Sequence, residues 1–292
     1  MSDTQRTNLV IIFGGQSAEH DVSCSTAAHV MKAIDLRRYT VTALGIDVHG
    51  QWHLAESAMA ALDRGSDAVP DRLQASGPVV AASLALTAAM GNANAVVMSL
   101  LHGPMGEDGT IQGLLELLDV AYVGAGVLGS SIGMDKALSK DVLARHGIAQ
   151  PRYHALRESE INPETLRDIV NELGLPLFVK PANMGSSVGV SKAHDVDEVI
   201  AATEQALTYD EWIVFEEAIK GREIEVAVLG SLEPEASVAG EIVPAHEFYD
   251  YEDKYLGDSA QLLVPAPLSD AAANEVRQLA VKVFQALRGE GL

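Results

Sequence analysis

The 292-residue sequence has one cysteine, Cys24, and no apolar run long enough to cross a membrane. A single cysteine excludes an intramolecular disulfide framework and is typical of a reducing compartment. A membrane-spanning helix needs about 20 consecutive apolar residues, and the polar start, MSDTQRTN, lacks the basic and then apolar layout of a signal peptide. We therefore expect a soluble, cytoplasmic protein with no membrane partner, in which Cys24 is a small buried group rather than a nucleophile.

Basic residues are also scarce. Twenty Lys and Arg stand against 41 Asp and Glu, which gives a net charge of −21. Sequence-independent nucleic-acid binding requires a basic surface that displaces counterions from phosphates, so this class of partner is excluded. A small anionic ligand is not excluded, because a few lysines can dominate the potential of one pocket. With 48% apolar residues, the chain can bury the cores of two or three domains.

The first part of the chain alternates strand and helix patterns. Continuous apolar runs end at glycine turns, as buried parallel strands do, and apolar residues at helical spacing follow them. The predicted strands are Asn8–Phe13, Thr40–Ile46 and Ala95–Leu101, and the predicted helices are Val22–Ile34 and Thr110–Leu118. This order predicts a mostly parallel sheet that helices cover on both faces. The Ala-rich stretch 55–94 is the least informative region.

From Met134 onwards the pattern differs. Four helices are predicted, at 135–145, 163–173, 195–207 and 269–288. Asp195 and Ser269 are the expected N-caps of the last two helices. Short strands are predicted on either side of a glycine-serine loop, at 177–180 and 189–192. Partly alternating strands at 212–216, 223–229 and 241–244 are typical of a half-exposed antiparallel sheet.

The strongest local signal is KPANMGSSVGVSK, from Lys180 to Lys192. A strand ends at Lys180, and the small residues of the loop 185–189 allow backbone N–H groups and two hydroxyls to face phosphate oxygens. Lys180 would supply a positive charge to the same anion. The alternative is an ordinary Gly-Ser hairpin, which would be preferred without the lysine on the preceding strand. The Walker pattern of P-loop proteins is absent.

Two further segments follow predicted strands of the parallel sheet. HGPMGEDGTIQGLLE begins at His102, and ligands in parallel sheets collect at such strand ends. GGQSAEHDVS begins at Gly14, where a diglycine turn enters a helix and Glu19 offers a negative partner to an amine. A structural histidine and a solvated glutamate are the alternatives. For His102 and the glycines beside it we favour a substrate contact, and for Glu19 the two interpretations are even.

The stretch FYDYEDKYL, from Phe248 to Leu256, combines aromatic and charged residues between a strand and a long helix. A loop of this kind can close over a site and exclude water. As an isolated stretch it is more often a surface loop that packs its own aromatic side chains.

Taken in order, these segments resemble the D-alanine–D-alanine ligases. The matching motifs are GGxSxEHxVS at Gly14, LHGxxGEDGTxQGxLE at Leu101, GxxxSxxxMDK ending at Lys136, VKPxxxGSSxGV at Val179 and FYDYxxKY at Phe248. Each motif is weak to moderate alone, but their ordered joint occurrence over nearly the whole chain is specific.

The resemblance implies an α/β protein of the ATP-grasp fold. It would have an N-terminal Rossmann-like parallel-sheet domain (1–133), a central ATP-grasp subdomain with the phosphate-binding loop (134–219) and an incomplete C-terminal ATP-grasp subdomain (220–292). The implied ligands are ATP, Mg²⁺ or Mn²⁺ and two molecules of D-alanine, and the implied assembly is a homodimer. ATP would phosphorylate one D-alanine, the amine of the second would attack the D-alanyl phosphate, and the dipeptide would serve peptidoglycan synthesis.

The resemblance also assigns roles to residues. Lys136 and Lys180 would contact the ATP phosphates, and Gly185, Ser186, Ser187 and Gly189 would form the phosphate-binding loop. Glu216 and the backbone of Glu217 and Ile219 would bind adenine, and Glu223 the ribose. Glu19 would hold the ammonium of the first D-alanine, with His102 and Gly103 near its carboxylate. Ser186 and Tyr255 would hydrogen-bond with Glu19, with Lys254 beside the transferred phosphate. Tyr255 is the reason for preferring D-alanine over D-lactate as the second substrate.

The family's metal-binding residues have no counterpart in this sequence. The resemblance places them, with an arginine, on strands that follow the last helix, and no E-x-N followed by T-x-P-G occurs in the 292 residues. No metal ligand is therefore predicted. Two alternatives stay open: a noncatalytic nucleotide-binding fragment, and an ATP-grasp ligase that makes D-Ala–D-lactate or D-Ala–D-Ser.

Overall fold

The computed structural model describes residues 6–91, 94–244, 247–248 and 260–291. The chain divides into two compact units, Met1–Val127 and Leu128–Leu292. The sheets and the hydrophobic clusters described below each lie within one unit. In the described part of the chain, no helix combines the length and the apolar character that crossing a membrane requires.

The first unit is built on a four-stranded sheet. Its strands are β1 (Thr7–Gly14), β2 (Tyr39–Ile46), β3 (Trp52–Leu54) and β4 (Ala95–Ser99), in the order β3-β2-β1-β4. β1 pairs in parallel with both β2 and β4, and only β3 is antiparallel. The apolar run of β1 is central, and Val10 and Phe13 are fully buried. The predicted parallel sheet is confirmed.

Helices cover both faces of this sheet. They are α1 (His20–Ala33), α2 (Glu56–Asp63), α3 (Ala82–Ala89) and α4 (Thr110–Leu117). Ile11 and Phe13 pack with residues of α1 and α2 in one cluster. Val10 and Ile12 point to the other face and pack with residues of α3 and α4. The alternation of side chains along β1 therefore separates two cores. The Ala-rich region, which gave no pattern in the sequence, contains α2 and α3.

The second unit begins with two helices and an antiparallel sheet. The helices are α5 (Val127–Met134) and α6 (Lys136–Arg145), followed by α7 (Pro163–Leu173) and α8 (Val196–Ala206). The strands are β5 (Tyr153–Arg157), β6 (Leu177–Pro181), β7 (Ser191–Ala193) and β8 (Trp212–Glu217), in the order β5-β8-β6-β7. All neighbouring strands of this sheet are antiparallel.

The alternation of β6 decides which side chains reach the functional site. Leu177 and Val179 are fully buried and pack with α7 and α8 in the core of the second unit. Because neighbouring side chains of a strand point to opposite faces, Phe178 and Lys180 lie on the other face of the sheet. This other face carries the candidate site.

Short strands and a long helix complete the second unit. The strands are β9 (Glu223–Glu225), β10 (Val228–Leu229), β11 (Glu235–Ala236), β12 (Gly240–Val243) and β13 (Gln261–Leu263), and the helix is α9 (Asp270–Ala286). β12 lies between β9 and β13, and β10 pairs with β11. The single strand predicted at 223–229 was wrong, because β9 and β10 belong to different sheets.

The predicted helix caps are confirmed. The carboxylate of Asp195 accepts the backbone N–H of Glu198 at 2.8 Å, and the hydroxyl of Ser269 accepts that of Ala272 at 3.3 Å. The prediction for Cys24 is confirmed too, since the residue is 2% exposed. Burial and the nearby Asp21 raise the pKa of the Cys24 thiol to about 11, which keeps it neutral and poorly nucleophilic near pH 7.

Candidate functional site

The glycine-serine loop between β6 and β7 has an unusual backbone. Ser186 and Ser187 adopt φ values of 51° and 59°, in the left-handed region that side chains other than glycine rarely occupy. Gly189 follows at 70°, and a Cβ there would lie 2.7 Å from Pro181 Cγ. The Val188 N–H closes the turn on the Gly185 carbonyl at 3.0 Å. Such strained turns cluster at ligand-binding sites, where their N–H groups can face an anion.

A cavity of about 860 Å³ opens beside this loop, within the second unit. It contains most of the residues that the sequence assigned to ATP. Its walls include Lys136, Lys180, Gly185, Ser186, Ser187, Ile219 and Glu223. The structure therefore brings the two lysines and the loop together, as the sequence predicted, although Lys136 comes from a segment separate from that of Lys180 and the loop.

Lys136 is positioned by the start of α6. Asp135 caps this helix by accepting the N–H groups of Ala137 and Leu138, each at 2.9 Å. The Lys136 ammonium donates to the backbone carbonyls of Met184 and Ala182, immediately before the loop. Burial and the neighbouring Lys180 lower the pKa of Lys136 to about 8. Its environment therefore favours an additional negative charge.

Lys180 contacts a carboxylate that a second lysine also contacts. Lys180 Nζ lies 2.5 Å from Glu216 Oε1, and Lys140 Nζ lies 2.5 Å from Glu216 Oε2. Glu216 is 8% exposed. Burial raises the pKa of this carboxyl, but Lys180 and Lys140 outweigh that effect and hold the pKa below its ordinary value. Both carboxylate oxygens of Glu216, which the sequence assigned to adenine, therefore contact lysines.

The other predicted nucleotide contacts lie near the end of β8. The Glu217 carboxylate accepts the Arg152 N–H at 2.8 Å and Arg152 Nε at 2.7 Å, and these hydrogen bonds lower the pKa of Glu217. The predicted contact of Glu217 with adenine uses its backbone and is therefore independent of the side-chain contact with Arg152. Ile219 is 64% exposed at the wall of the cavity, and Glu223 lies on β9 at the same cavity.

Several residues that line the cavity had no role assigned from the sequence. Phe178 lies on the same face of β6 as Lys180, and Lys192 lies on β7 with its ammonium 2.6 Å from the Glu247 carboxylate. Arg222 forms a two-pronged contact with the Glu241 carboxylate, with both distances 2.6 Å. The alternation along β6 was a usable signal for Phe178. No sequence signal identified Arg222 or Glu241, because their pairing depends on the register of β9 and β12.

The residues predicted to contact the first substrate meet in the first unit. Glu19 is only 4% exposed, and a Cβ on Gly103 would lie 2.5 Å from its Oε2. Gly103 has a φ of 71°, so a side chain there would be excluded by both conformation and space. The Ser17 hydroxyl donates to the His102 carbonyl at 2.7 Å, which joins the two glycine-rich segments.

A small cavity of about 180 Å³ lies at the same strand ends. His102 lines it together with Gly15, Gln16 and Gly106. The His102 ring nitrogen Nε2 lies 3.2 Å from the Thr26 hydroxyl. The structure thus places His102 at a cavity rather than wholly inside the core.

Asp108 shapes the turn beside this cavity. It accepts the N–H groups of Met105 and Thr110 at 2.8 and 2.9 Å. Burial raises the pKa of Asp108, but these hydrogen bonds outweigh it and hold the pKa below its ordinary value. The charged carboxylate thereby fixes the glycine-rich turn at the start of α4.

The described residues do not offer a site for a divalent cation. No cluster of three His, Cys, Asp or Glu suitable for a metal occurs among them. Three carboxylates at or beside the 860 Å³ cavity contact cationic side chains instead: Glu216, Glu241 and Glu247. A Mg²⁺ site needs carboxylate oxygens that are free to coordinate the ion. The residues therefore do not fit this metal.

Lys254 and Tyr255 lie outside the described residues. The aromatic stretch to which they belong is described only at Phe248, whose ring meets Phe178 edge-on with centroids 5.4 Å apart. The predicted roles of Lys254 and Tyr255 therefore stay predictions.

Comparison with known proteins gives matches over almost the whole chain. A family model described as the D-ala D-ala ligase N-terminus matches residues 8–125, and one described as the D-ala D-ala ligase C-terminus matches residues 142–292. The D-alanine–D-alanine ligase of Heliobacterium modesticaldum is 42% identical over 301 residues, which cover 98% of this chain and 80% of the relative. The corresponding ligase of Geobacillus kaustophilus is 44% identical over 300 residues, with coverages of 98% and 80%.

Solved structures of such ligases share the fold. The VanG D-Ala:D-Ser ligase from Enterococcus faecalis superposes with a TM-score of 0.78 at 28% identity, covering 98% of this chain and 84% of that chain. The D-alanine–D-alanine ligase from Coxiella burnetii superposes with a TM-score of 0.77 at 30% identity, with coverages of 98% and 78%. The predicted fold class, a mixed α/β protein of the ATP-grasp fold, is confirmed.

Proposed function

The chain belongs to the D-alanine–D-alanine ligase family, and from this premise we propose that its second unit binds ATP at the Lys136–Lys180 cavity while its first unit binds D-alanine at Glu19. As a member of this family it is an ATP-dependent ligase. The observation that supports the ATP site is the convergence of two lysines and the strained glycine-serine loop on one cavity. The product is D-alanyl-D-alanine, a precursor for peptidoglycan.

The chemistry explains why cationic groups are needed. The carboxylate of the first D-alanine must attack the γ-phosphate of ATP and displace ADP, although the carboxylate and the phosphate are both anionic. Lys136, Lys180 and the N–H groups of the loop 185–189 would offset this repulsion, and positioning would supply most of the remaining rate enhancement. The amine of the second D-alanine then attacks the D-alanyl phosphate, and phosphate leaves.

The remaining site residues bind and orient the substrates in this proposal. Glu19, which is only 4% exposed, pairs with the ammonium of the first D-alanine. His102 and Gly103 lie near its carboxylate. Glu217 and Ile219 contact adenine through their backbones, Glu223 contacts the ribose, and Glu216 lies at the adenine end. Ser186, Tyr255 and Lys254 would complete the site, and Lys254 would lie beside the transferred phosphate.

Family members use a divalent cation with ATP, in this proposal Mg²⁺ or Mn²⁺. The described residues do not fit such an ion, and the steps above therefore use only lysines and backbone N–H groups of this chain. We also propose that the protein acts in the cytoplasm as a homodimer. Analytical ultracentrifugation tests the dimer against the 30.9 kDa monomer.

Lys180→Ala tests the ATP site. Loss of a charge-assisted contact typically costs about 1.5–3 kcal/mol, so we expect ATP to bind roughly 10- to 100-fold more weakly in calorimetry. Arg157→Ala is the control, since Arg157 pairs with Glu211 at 2.8 Å and does not line the cavity. Unchanged ATP affinity in the Lys180 variant would remove Lys180 from the site.

Glu19→Gln tests the D-alanine site. A neutral amide cannot pair with an ammonium, so the Michaelis constant for D-alanine should rise by about tenfold or more. Glu56→Gln, on the exposed start of α2, is the matched control. An unchanged Michaelis constant for D-alanine would exclude Glu19 from substrate binding.

A substrate panel decides between the related specificities. In a buffer that contains magnesium, release of phosphate from ATP should require D-alanine. D-Serine is the most informative competitor because a structural relative is a D-Ala:D-Ser ligase. D-Lactate and L-alanine complete the panel. Phosphate release with D-serine but not with D-alanine as second substrate would make D-Ala–D-Ser the product. ATP binding without phosphate release under any condition would favour a noncatalytic nucleotide-binding protein.

A further inference from the structure

One carboxylate in the second unit lies between two lysines, and only one of these lysines lines the ATP-sized cavity. Glu216 contacts Lys180 through Oε1 and Lys140 through Oε2, each at 2.5 Å. Lys180 belongs to the cavity wall, whereas Lys140 and Glu216 do not. All three are largely buried: the exposed fraction of the side chain alone is 20% for Lys180, 13% for Lys140 and 11% for Glu216. Lys140 has no part in the site derived above.

Lys140 is held in place by its own surroundings. It lies one helical turn after Lys136 on α6, so the two ammonium groups leave the same face of that helix. Its Nζ lies 4.9 Å from the centre of the Tyr153 ring, and the Tyr153 hydroxyl donates to Asp141 at 2.6 Å. A cation over an aromatic face is attracted by the ring electrons. The ammonium is therefore directed towards Glu216 by the fold.

The charges of this group explain why two lysines are needed. A pair of Lys180 and Glu216 alone would have a net charge of zero, and the carboxylate would cancel most of the field that Lys180 exerts on an anion. With Lys140 the sum is 2 − 1 = +1. Water screens partly buried charges weakly, so this difference of one unit reaches the cavity. Glu216 can then orient Lys180 without neutralising it.

We propose that Lys140 is a positioning residue that offsets the charge of Glu216 and so keeps Lys180 available to the phosphates of ATP. The inference rests on the proposed ATP site. It assigns the Lys140–Glu216 contact to ligand binding, in contrast to a salt bridge that only joins α6 to β8.

The first test compares ATP with adenosine, which has no phosphates. Lys140→Met should weaken ATP binding by about tenfold or more in calorimetry and change adenosine binding by less than about twofold. Lys140→Arg keeps the charge and should retain ATP binding. Lys282→Met, on α9, removes a lysine that does not line the cavity and is the control for net charge. Equal losses for ATP and adenosine would contradict the proposal and indicate a structural role.

A second test uses Glu216→Gln as background. If Lys140 acts by offsetting the carboxylate, Lys140→Met should cost less than about twofold in ATP affinity once that carboxylate is an amide. The comparison holds whether or not Glu216 also contacts adenine, because both proteins of this pair contain Gln at position 216. A tenfold loss in both backgrounds would show that Lys140 acts without Glu216 and would overturn the proposal. Thermal unfolding of each variant separates a loss of binding from a loss of folding.

The wild-type protein distinguishes the two levels of inference. If it fails to bind ATP, the proposed ATP site itself is wrong. If Lys180→Ala leaves ATP affinity unchanged, Lys180 is not part of that site and the proposed role of Lys140 is refuted with it. If Lys180→Ala weakens binding and Lys140→Met does not, only the role of Lys140 is refuted.

Discussion

The folded protein destabilises the protonated, charged form of Lys136, and a bound ATP phosphate would stabilise it. Its ordinary pKa is 10.5, and burial together with Lys180 lowers the folded-state pKa to about 8. Between these two values the unfolded chain keeps the proton and the folded chain releases it. Folding stability therefore rises with pH through this window, and the cost of the buried charge is fully present below about pH 8.

ATP affinity should have the opposite pH dependence. Only the protonated Lys136 attracts phosphate, so we expect affinity for ATP to fall as the pH rises from about 7.5 to about 9.5. Lys136→Arg should flatten this dependence, because a guanidinium keeps its proton throughout the range. Calorimetry across the range, with adenosine as the control ligand, measures both effects. Equal slopes for the wild type and the arginine variant would assign the titration to another group.

At the scale of single elements, local side-chain bonds determine where the helices of the second unit begin. Asn162 shows this for α7. Its side chain accepts the N–H groups of Glu164 and Thr165 at 3.0 and 3.1 Å, and the Thr165 hydroxyl accepts the Asn162 N–H at 2.9 Å. This reciprocal cap satisfies backbone donors that the first turn would otherwise leave open. α7 then packs three buried residues, Leu166, Ile169 and Leu173, on the sheet.

Asn162→Ala should lower the free energy of unfolding by about 1 kcal/mol, because alanine cannot accept these N–H groups. Asp168→Ala is the control, since Asp168 is exposed in the middle of the same helix. Urea unfolding followed by circular dichroism measures the change. Equal losses in the two variants would show that the cap contributes nothing specific to the stability of α7.

Some helices and strands could be predicted from the sequence, and others could not. β1 and the N-caps of α8 and α9 were predicted correctly, because apolar runs and capping side chains act over a few residues. The stretch 223–229 was not, because its division into β9 and β10 depends on pairing with β12 and β11. Propensity is a weak guide for such short strands, whose pairing partners decide their conformation.

At the scale of the whole molecule, a net charge of −21 coexists with a cavity that three lysines line. Screening by salt explains how an acidic protein can contain a locally positive cavity. At physiological ionic strength the Debye length is about 8 Å, so exposed carboxylates elsewhere on the protein hardly reach the cavity. A small anion can therefore enter a locally positive site, whereas a long polyanion would also meet the acidic surface.

The protein should accordingly not bind duplex DNA. At about 50 mM salt, where a basic protein binds strongly, fluorescence anisotropy of a labelled duplex should stay unchanged up to micromolar protein. ATP binding measured in the same buffer is the positive control. A rise in anisotropy that disappears with added salt would reveal a basic surface that the composition conceals.

The sequence by itself determined the parallel sheet of the first unit, the helix caps and the lysine–glycine–serine loop. Their signals lie in neighbouring residues, where apolar periodicity and capping chemistry act directly. Only the tertiary structure decided that Glu216 contacts Lys180 and Lys140 and that Arg222 contacts Glu241. These partners come from distant segments of the chain, so their contacts depend on strand register and on which face each side chain occupies. Charge neutralisation between distant segments is a property of packing, and no local pattern encodes it.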